Sequence, residues 1–508
     1  MKRRKGTQIE RKKARALRRR QRRGMALILV LAALTVLTVM LTEVQDESSA
    51  EFGSALAARD ALVSEYAAKS AVNLSRLLIA AEPTIRKSLT LIFALVGGPR
   101  QIPVWQYSDR ILGAFNDADG AASFASLAGV DPNLGKNLGL AGAGFRLTIV
   151  DEDSKINLNA AAHGDLVHQM SETLQILGLI SAPQYNTMFE GKDADGQYSD
   201  RRAICSAIID WVDPDQDQAL CDPTSTTAQQ TASEDSFYQL LKKPYLRKNA
   251  AFDSLEELHR VRGISDDFWS TFVDPDPDNP DKRVITVWGQ GKINVNTANP
   301  QTLLAIVCQA SNNTALVCLD ANEAQKFLLA IGMMKSFLPG LPVFANANDF
   351  VSALQQAGAG ATPPGQTAAA APAPAAGASP LGGGGSPVAM IMKALGLQPI
   401  PILSPDQTKG EITTESKVFS IYATGYVHSG KRESTSRIHA VVDFRGAPAP
   451  MLLPPPNGNG NGNQVPPNTP PPPPGATPPG TQPGGGTIGI GGVLKPGAGG
   501  NVIYYRVD

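Results

Sequence analysis

Arg22-Arg23-Gly24-Met25-Ala26-Leu27-Ile28-Leu29-Val30-Leu31-Ala32-Ala33-Leu34-Thr35-Val36-Leu37-Thr38-Val39-Met40-Leu41-Thr42 is the stretch from which the rest of the chain can be read. Gly24 to Thr42 is 19 residues without a charge, close to the roughly 20 a helix needs to cross a bilayer. Lys and Arg crowd its N-terminal side, and Glu43, Asp46 and Glu47 follow it. A cleavable secretory signal has an apolar stretch of about 7–15 residues ending in a small-residue cleavage site. This stretch is longer and ends in acids, so it reads as a retained anchor. The positive-inside rule keeps the N-terminus cytoplasmic and sends the body across the membrane.

The charge layout follows the same division. The 508 residues, enough for two or three domains, carry 46 Lys+Arg and 46 Asp+Glu, a net charge of zero. Residues 1–24 hold 13 of the basic residues and one acid, Glu10, a net of +12, so the remainder carries −12. A cationic leader thus precedes an acidic body, and an acidic body disfavours binding that depends on neutralising phosphates.

Beyond the anchor, Phe52, Leu56, Val63, Ala67, Ala71, Leu74 and Leu78 recur at helical spacing. If continuous from Met25 to Ala81, this helix has 57 residues and is roughly 85 Å long at 1.5 Å per residue. Pro83 is expected to end it, and Gly53 is the place for a break.

The body contains a repeat. Ser154-Lys155-Ile156-Asn157-Leu158-Asn159-Ala160-Ala161 recurs as Gly291-Lys292-Ile293-Asn294-Val295-Asn296-Thr297-Ala298. Each copy follows a β-rich run, Phe145–Val150 or Val284–Trp288, and precedes an apolar helical stretch. Asn and Thr accept hydrogen bonds from the free N–H groups that begin a helix, so each copy is expected to turn a strand into a capped helix. Between them, Ser254-Leu-Glu-Glu-Leu258-His-Arg-Val261-Arg-Gly263-Ile264 looks like a helix-hairpin-helix turn, with Gly263 free to take φ > 0. Such a turn packs helices or, with Arg260 and Arg262, binds DNA backbone. A membrane-anchored periplasmic nucleic-acid binder is therefore the alternative function, and packing is favoured because the body is acidic.

Asp213, Asp215 and Asp217 alternate in a Pro-containing loop, with Glu234 and Asp235 downstream. Oxygen donors pooled this way suit a hard cation such as calcium, although the EF-hand spacing is absent. Cys205 and Cys221 flank this loop, and Cys308 and Cys318 lie close together. Four cysteines fit an oxidising compartment and allow three pairings. Pairing of sequence neighbours is simplest, and a 205–221 bridge would pin the Asp-rich loop. Val418–Val427, a turn at Ser429-Gly430, and Ser436–Phe444 read as a β-hairpin. The sequence shows neither Gly-x-Ser-x-Gly nor His-Glu-x-x-His, and its five His leave few general bases. An enzyme is not expected.

Taken together, the Arg-Arg-Gly24-Met25 junction, the paired Asn motifs, the Asp-Trp loop and the closing hairpin resemble the K-type minor pseudopilins of type II secretion. That resemblance implies cleavage by prepilin peptidase between Gly24 and Met25, methylation of Met25, and calcium at the Asp213, Asp215, Asp217, Glu234 and Asp235 loop. Most pilin-like subunits have Glu at mature position five, where this chain has Leu29. A subunit without that Glu cannot pair with one above it, which suits the pseudopilus tip, in complex with minor pseudopilins I and J and on the inner-membrane secretion platform. The implied fold is α+β: a pilin-like long N-terminal helix packed on an antiparallel sheet, with an inserted SAM-like, helix-hairpin-helix α domain. The expected organisation is a leader at 1–24, a helix at 25–82, first parts of the sheet at 83–153 and 284–290, and the inserted domain at 154–283. A second strand–helix repeat follows at 291–356, then an Ala/Pro/Gly linker at 357–387, a helix and closing hairpin at 388–445, a Pro/Gly tail at 446–500 and a terminal strand at 501–508.

Overall fold

The computed structural model describes residues 3–88, 100–113, 115–116, 142–192, 196, 198–222, 235–337, 342–357, 387–430, 432–448 and 499–508. Most of the expected linker and tail lies outside these residues.

Helix α1 runs unbroken from Arg3 to Ser88, 86 residues, or roughly 130 Å at 1.5 Å per residue. Gly53 does not break it; an added Cβ there would meet nothing within 4 Å. Nor does Pro83 end it: the proline lies inside the helix, and Glu82 on the preceding turn is tied down by Arg86 and by the Ile102 amide. The buried face is narrower and smaller than the apolar spacing predicts. Ser64, Ala67, Ala68, Ala71, Val72, Ser75, Ile79 and Ala80 are buried, whereas Phe52 is 67% exposed.

Among the described residues eight strands follow: β1 (Ala143–Asp151), β2 (Ile156–Asn157), β3 (Ile285–Thr286), β4 (Ile293–Asn294), β5 (Ile412–Thr413), β6 (Val418–Ser429), β7 (Arg432–Asp443) and β8 (Asn501–Val507). Four of them form one antiparallel sheet in the order β1-β6-β7-β8. Period-two alternation sets its faces. Phe145, Leu147, Ile149, Phe419, Ile421, Ala423, Ile438, Ala440 and Val442 turn toward α1 and join its small residues in one core. Helix and sheet approach closely at Gly425, whose missing Cβ would collide with the Ser64 and Ala68 backbone.

Residues 284–290, expected in this sheet, lie elsewhere. β3 pairs in parallel with β2, and β4 with β5. Val284, Ile285 and Val287 are buried in a second, helical core, which takes up the β-branched side chains that suggested a sheet strand. Buried residues from Ile156 to Ile412 belong to one core, so the expected units 154–283 and 291–356 share one interior. The helices Leu166–Ile180 and Pro300–Ala310 cross where Gly178 admits the Ala305 carbonyl; a Cβ there would sit 2.7 Å from that oxygen.

The two Asn motifs are equivalent in structure, but mostly not as helix caps. Asn157 and Asn294 each accept from the amide two residues on. Asn159 clasps a distant segment, donating to the carbonyls of Phe252 and Val287 and accepting from the Phe252 amide. Asn296 clasps its own distant segment, donating to the Phe344 carbonyl and accepting from the Val343 and Phe344 amides. In each clasped segment, the amide after the Phe donates to an acid four residues on, Asp253 to Glu257 and Ala345 to Asp349. The duplication therefore extends to Phe252-x-Ser254-x-x-Glu257-Leu258 and Phe344-x-Asn346-x-x-Asp349-Phe350, a match the sequence reading missed. The caps are supplied by Asp165 and Asn299.

Candidate functional site

The Asp-rich loop leaves the helix Arg201–Val212, which Asp200 caps by accepting from the Ala203 amide at 2.8 Å. Ile204, Ile208, Ile209 and Trp211 bury one side of this helix in the core, and Asp210 is carried in with them. Asp210 accepts from the Ala219 amide at 2.7 Å, folding the loop back on the helix. The Cys205–Cys221 disulfide closes the same loop, and Cys308–Cys318 closes another, with Cα separations of 6.0 and 5.6 Å.

Asp213 is 1% exposed. Its Oδ2 accepts from Gln169 Nε2 at 3.2 Å, and its Oδ1 is buried without a hydrogen-bond partner. Asp215 Oδ1 accepts from the Asp217 amide at 2.9 Å, and its carbonyl accepts from Arg247 Nη2 and Asn249 Nδ2, both at 3.2 Å. Asp235 pairs with Arg247 Nε at 3.5 Å. Burial pushes the Asp210 carboxyl up to about 8, and burial with the neighbouring Asp215 charge pushes Asp213 up to about 7; Arg247 opposes both.

Of the expected cation ligands, Asp213, Asp215 and Asp235 come together around Arg247. Asp217 is exposed and contributes its backbone to the turn. Glu234 lies outside the described residues. Among the described residues no group of three or more His, Cys, Asp or Glu is placed to hold a metal ion. A buried carboxylate oxygen lacking a partner, as Asp213 Oδ1 is, is costly. Arg247 and Gln169 were not legible as part of this site, since neither stands near the Asp-rich stretch in sequence; Asp210 was visible as an acid inside an apolar helix.

The helix-hairpin-helix stretch is compressed. A 3-10 turn spans Leu255–Arg260, Gly263 takes φ 79°, and a short helix starts at Asp266. A Cβ on Gly263 would meet the Ile204 side chain at 2.5 Å, so the turn packs on the loop-bearing helix. The Arg262 guanidinium lies 4.6 Å above the Phe237 ring.

Gly24 and Met25 both lie within α1. From Met25 to Val44 the large apolar side chains are 53–67% exposed, on a helix long and apolar enough to cross a membrane. The fold is therefore α+β and pilin-like in its arrangement: a long helix with an exposed apolar N-terminal part, laid on an antiparallel sheet, carrying a large helical insertion between β1 and β6. Residues 154–272, the first part of that insertion, match the family model "Type II secretion system (T2SS), protein K", in agreement with the K-type resemblance read from sequence. A chain of the crystal structure of the GspK-GspI-GspJ complex from the enterotoxigenic Escherichia coli type 2 secretion system aligns over 60% of this chain and 76% of its own length. The identity is 15% and the TM-score 0.32. No curated protein matches the chain.

Proposed function

We propose that this chain is a minor pseudopilin that caps the periplasmic pseudopilus of a type II secretion system and takes part in export of folded proteins. The observation that carries the reading is the protein K family match at 154–272, within an insertion borne by a pilin-type helix and sheet. α1 anchors the chain in the inner membrane, with the cationic leader cytoplasmic and the body periplasmic. Prepilin peptidase cuts after Gly24, and Met25 becomes the methylated first residue. Leu29 at mature position five leaves this subunit without the carboxylate that would meet a subunit above, and the bulky insertion is hard to accommodate within a regular shaft. Both favour the tip, beside minor pseudopilins I and J and above the inner-membrane platform. Calcium binds at the Asp213–Asp217 loop with Asp235 and Glu234; the partnerless Asp213 Oδ1 supports this.

Two measurements test the reading. Gly24→Glu should abolish leader removal, seen as a slower band on a denaturing gel; normal processing would contradict the prepilin assignment. Co-expressed minor pseudopilins should co-purify with the full chain in detergent, and failure of both to do so would contradict the tip assignment.

A further inference from the structure

A cleft lies where the two cores meet, between the helical insertion and the face of the sheet turned away from α1. It encloses about 310 Å³, within the roughly 300–1,000 Å³ of small-molecule sites, which favour such joints between packing units. Three strands build one wall. Tyr422 of β6 stacks on His439 of β7 with ring centroids 4.2 Å apart, and Tyr504 of β8 lies 5.1 Å from the same His. The insertion builds the other wall. Trp288 stands 5.4 Å from Tyr504, and Trp269 has His259 stacked on it at 4.0 Å. Trp269 lines the cleft and His259 does not, so His259 covers one face of the indole and the other is turned to the cleft.

The charges of the lining are already matched. Arg283 pairs with Asp274 at 3.0 Å and Arg506 with Asp508 at 2.8 Å. Glu152 is buried and holds Lys155 and Thr286 Oγ1. Arg437 and Glu256 add one exposed charge of each sign. Burial lowers His439 to about 4, so its ring is uncharged at neutral pH. An ionic ligand would find no unbalanced charge here to replace the water it gives up. The paired groups nevertheless have capacity to spare, since a guanidinium carries more N–H donors, and a carboxylate more lone pairs, than one ion pair consumes. The cleft therefore joins flat ring faces to a margin of fixed donors and acceptors without net charge. A pyranose has the matching form: flat C–H faces, and hydroxyls around its edge that both donate and accept. A wholly apolar ligand would leave the polar margin unmet. We propose that this cleft is a saccharide-binding site, which seats a short uncharged glycan on Trp288, Trp269 and Tyr504, with Arg437, Glu256 and Asp508 around its hydroxyls. Because its walls come from both cores, the bound glycan ties the insertion to the sheet.

The test uses the full chain in lauryldimethylamine oxide, a detergent without a sugar headgroup. Chitotriose, cellotriose and maltotriose are the probes, titrated by tryptophan fluorescence and by calorimetry, with a Ser-Tyr-Ser tripeptide as the non-saccharide comparison. At least one trisaccharide should bind wild type and raise its melting temperature. Trp288→Ala removes a stacking face and Arg437→Ala a margin donor, and each should weaken that binding by about ten-fold. Leu240→Ala, at an 87% exposed position of the insertion outside the cleft, should leave the affinity unchanged. Should Trp288→Ala fail to fold, Arg437→Ala decides alone, because its side chain is exposed. Absence of binding by all three trisaccharides overturns the proposal, and binding of the tripeptide in their place would mark a peptide site. Trisaccharide binding that stays at wild-type strength in folded Trp288→Ala or in Arg437→Ala places the sugar elsewhere and overturns it as well.

Discussion

Replacing Gly425 by alanine would put a methyl carbon 2.6 Å from the Ala68 amide nitrogen of α1 and closer still to the Ser64 carbonyl oxygen. Both obstacles are backbone atoms inside a helix, so no rotamer change relieves them. Either α1 lifts off β6 or the strand bends away. Lifting the helix loosens Ala68, Ala71 and Val72 against Ile421 and Ala423, the centre of this core. Overpacking a dense core costs about 1–3 kcal/mol, and a clash with fixed backbone belongs at the upper end. Alanine recovers roughly 0.5–1 kcal/mol in a strand, because glycine loses more chain entropy on folding. The net loss is about 2 kcal/mol. For domains of about 150–250 residues, 1 kcal/mol moves the melting temperature by roughly 2–4 °C, so a fall of about 4–8 °C is expected by circular dichroism or calorimetry on the detergent-solubilised chain. Gly53→Ala is the matched control. Nothing lies within 4 Å of that position in the same helix, and the change should stabilise by about 0.5–1 kcal/mol. A Gly425→Ala protein that melts at or above wild type would refute the close helix–sheet approach.

Two further outcomes test the joints of the body. Asn159→Ala removes three hydrogen bonds and leaves Phe252 backbone groups without their partner; a loss of about 2–4 kcal/mol is expected in denaturant unfolding, and a loss under 0.5 kcal/mol would show that the clasp is dispensable. Asp151 is buried at the exit of β1, where it accepts from Thr297 Oγ1, Ser416 Oγ and the Asp153 amide. Burial, reinforced by the Asp153 charge, pushes its carboxyl up to about 8 from the ordinary 3.8. The folded chain then keeps a proton that the unfolded chain releases, so this group's stabilisation is complete below pH about 4 and is lost as pH rises toward 8. Asp151→Asn should flatten stability against pH across that window by up to about 1.4 kcal/mol per pH unit; an unchanged slope would count against a protonated Asp151.

Legibility followed the range of the interactions. The apolar Gly24–Thr42 helix and the β6–β7 hairpin rest on local hydropathy and period-two alternation, and both stand in the structure where those patterns put them. The repeat was visible as Lys-Ile-Asn-x-Asn, but its clasps were not. Asn159 meets Phe252 and Asn296 meets Phe344 across 93 and 48 positions, and nothing in the motif points to so distant a partner. Pro83 and Gly53 misled for a related reason: their helix-breaking tendency is worth at most a few kcal/mol, and a long helix docked on a sheet and tied at Glu82 overrides it. In the acidic loop the Asp-rich spelling was plain, whereas Arg247, one of several basic residues in the stretch Lys242–Lys248, became part of the site only when the chain folded back upon it.

The sequence by itself determined the apolar helix long enough to span a membrane, the division of charge about Gly24, the strand alternation and the presence of a duplicated motif, because these depend on neighbours a few residues apart. Only the tertiary structure decided that 284–290 belong to the helical body, that the two repeats share one core, that α1 presents alanines and serines to Gly425, and which cation stands among the aspartates. Each of those is a contact between residues tens to hundreds of positions apart, set by which surfaces can be buried together rather than by local propensity.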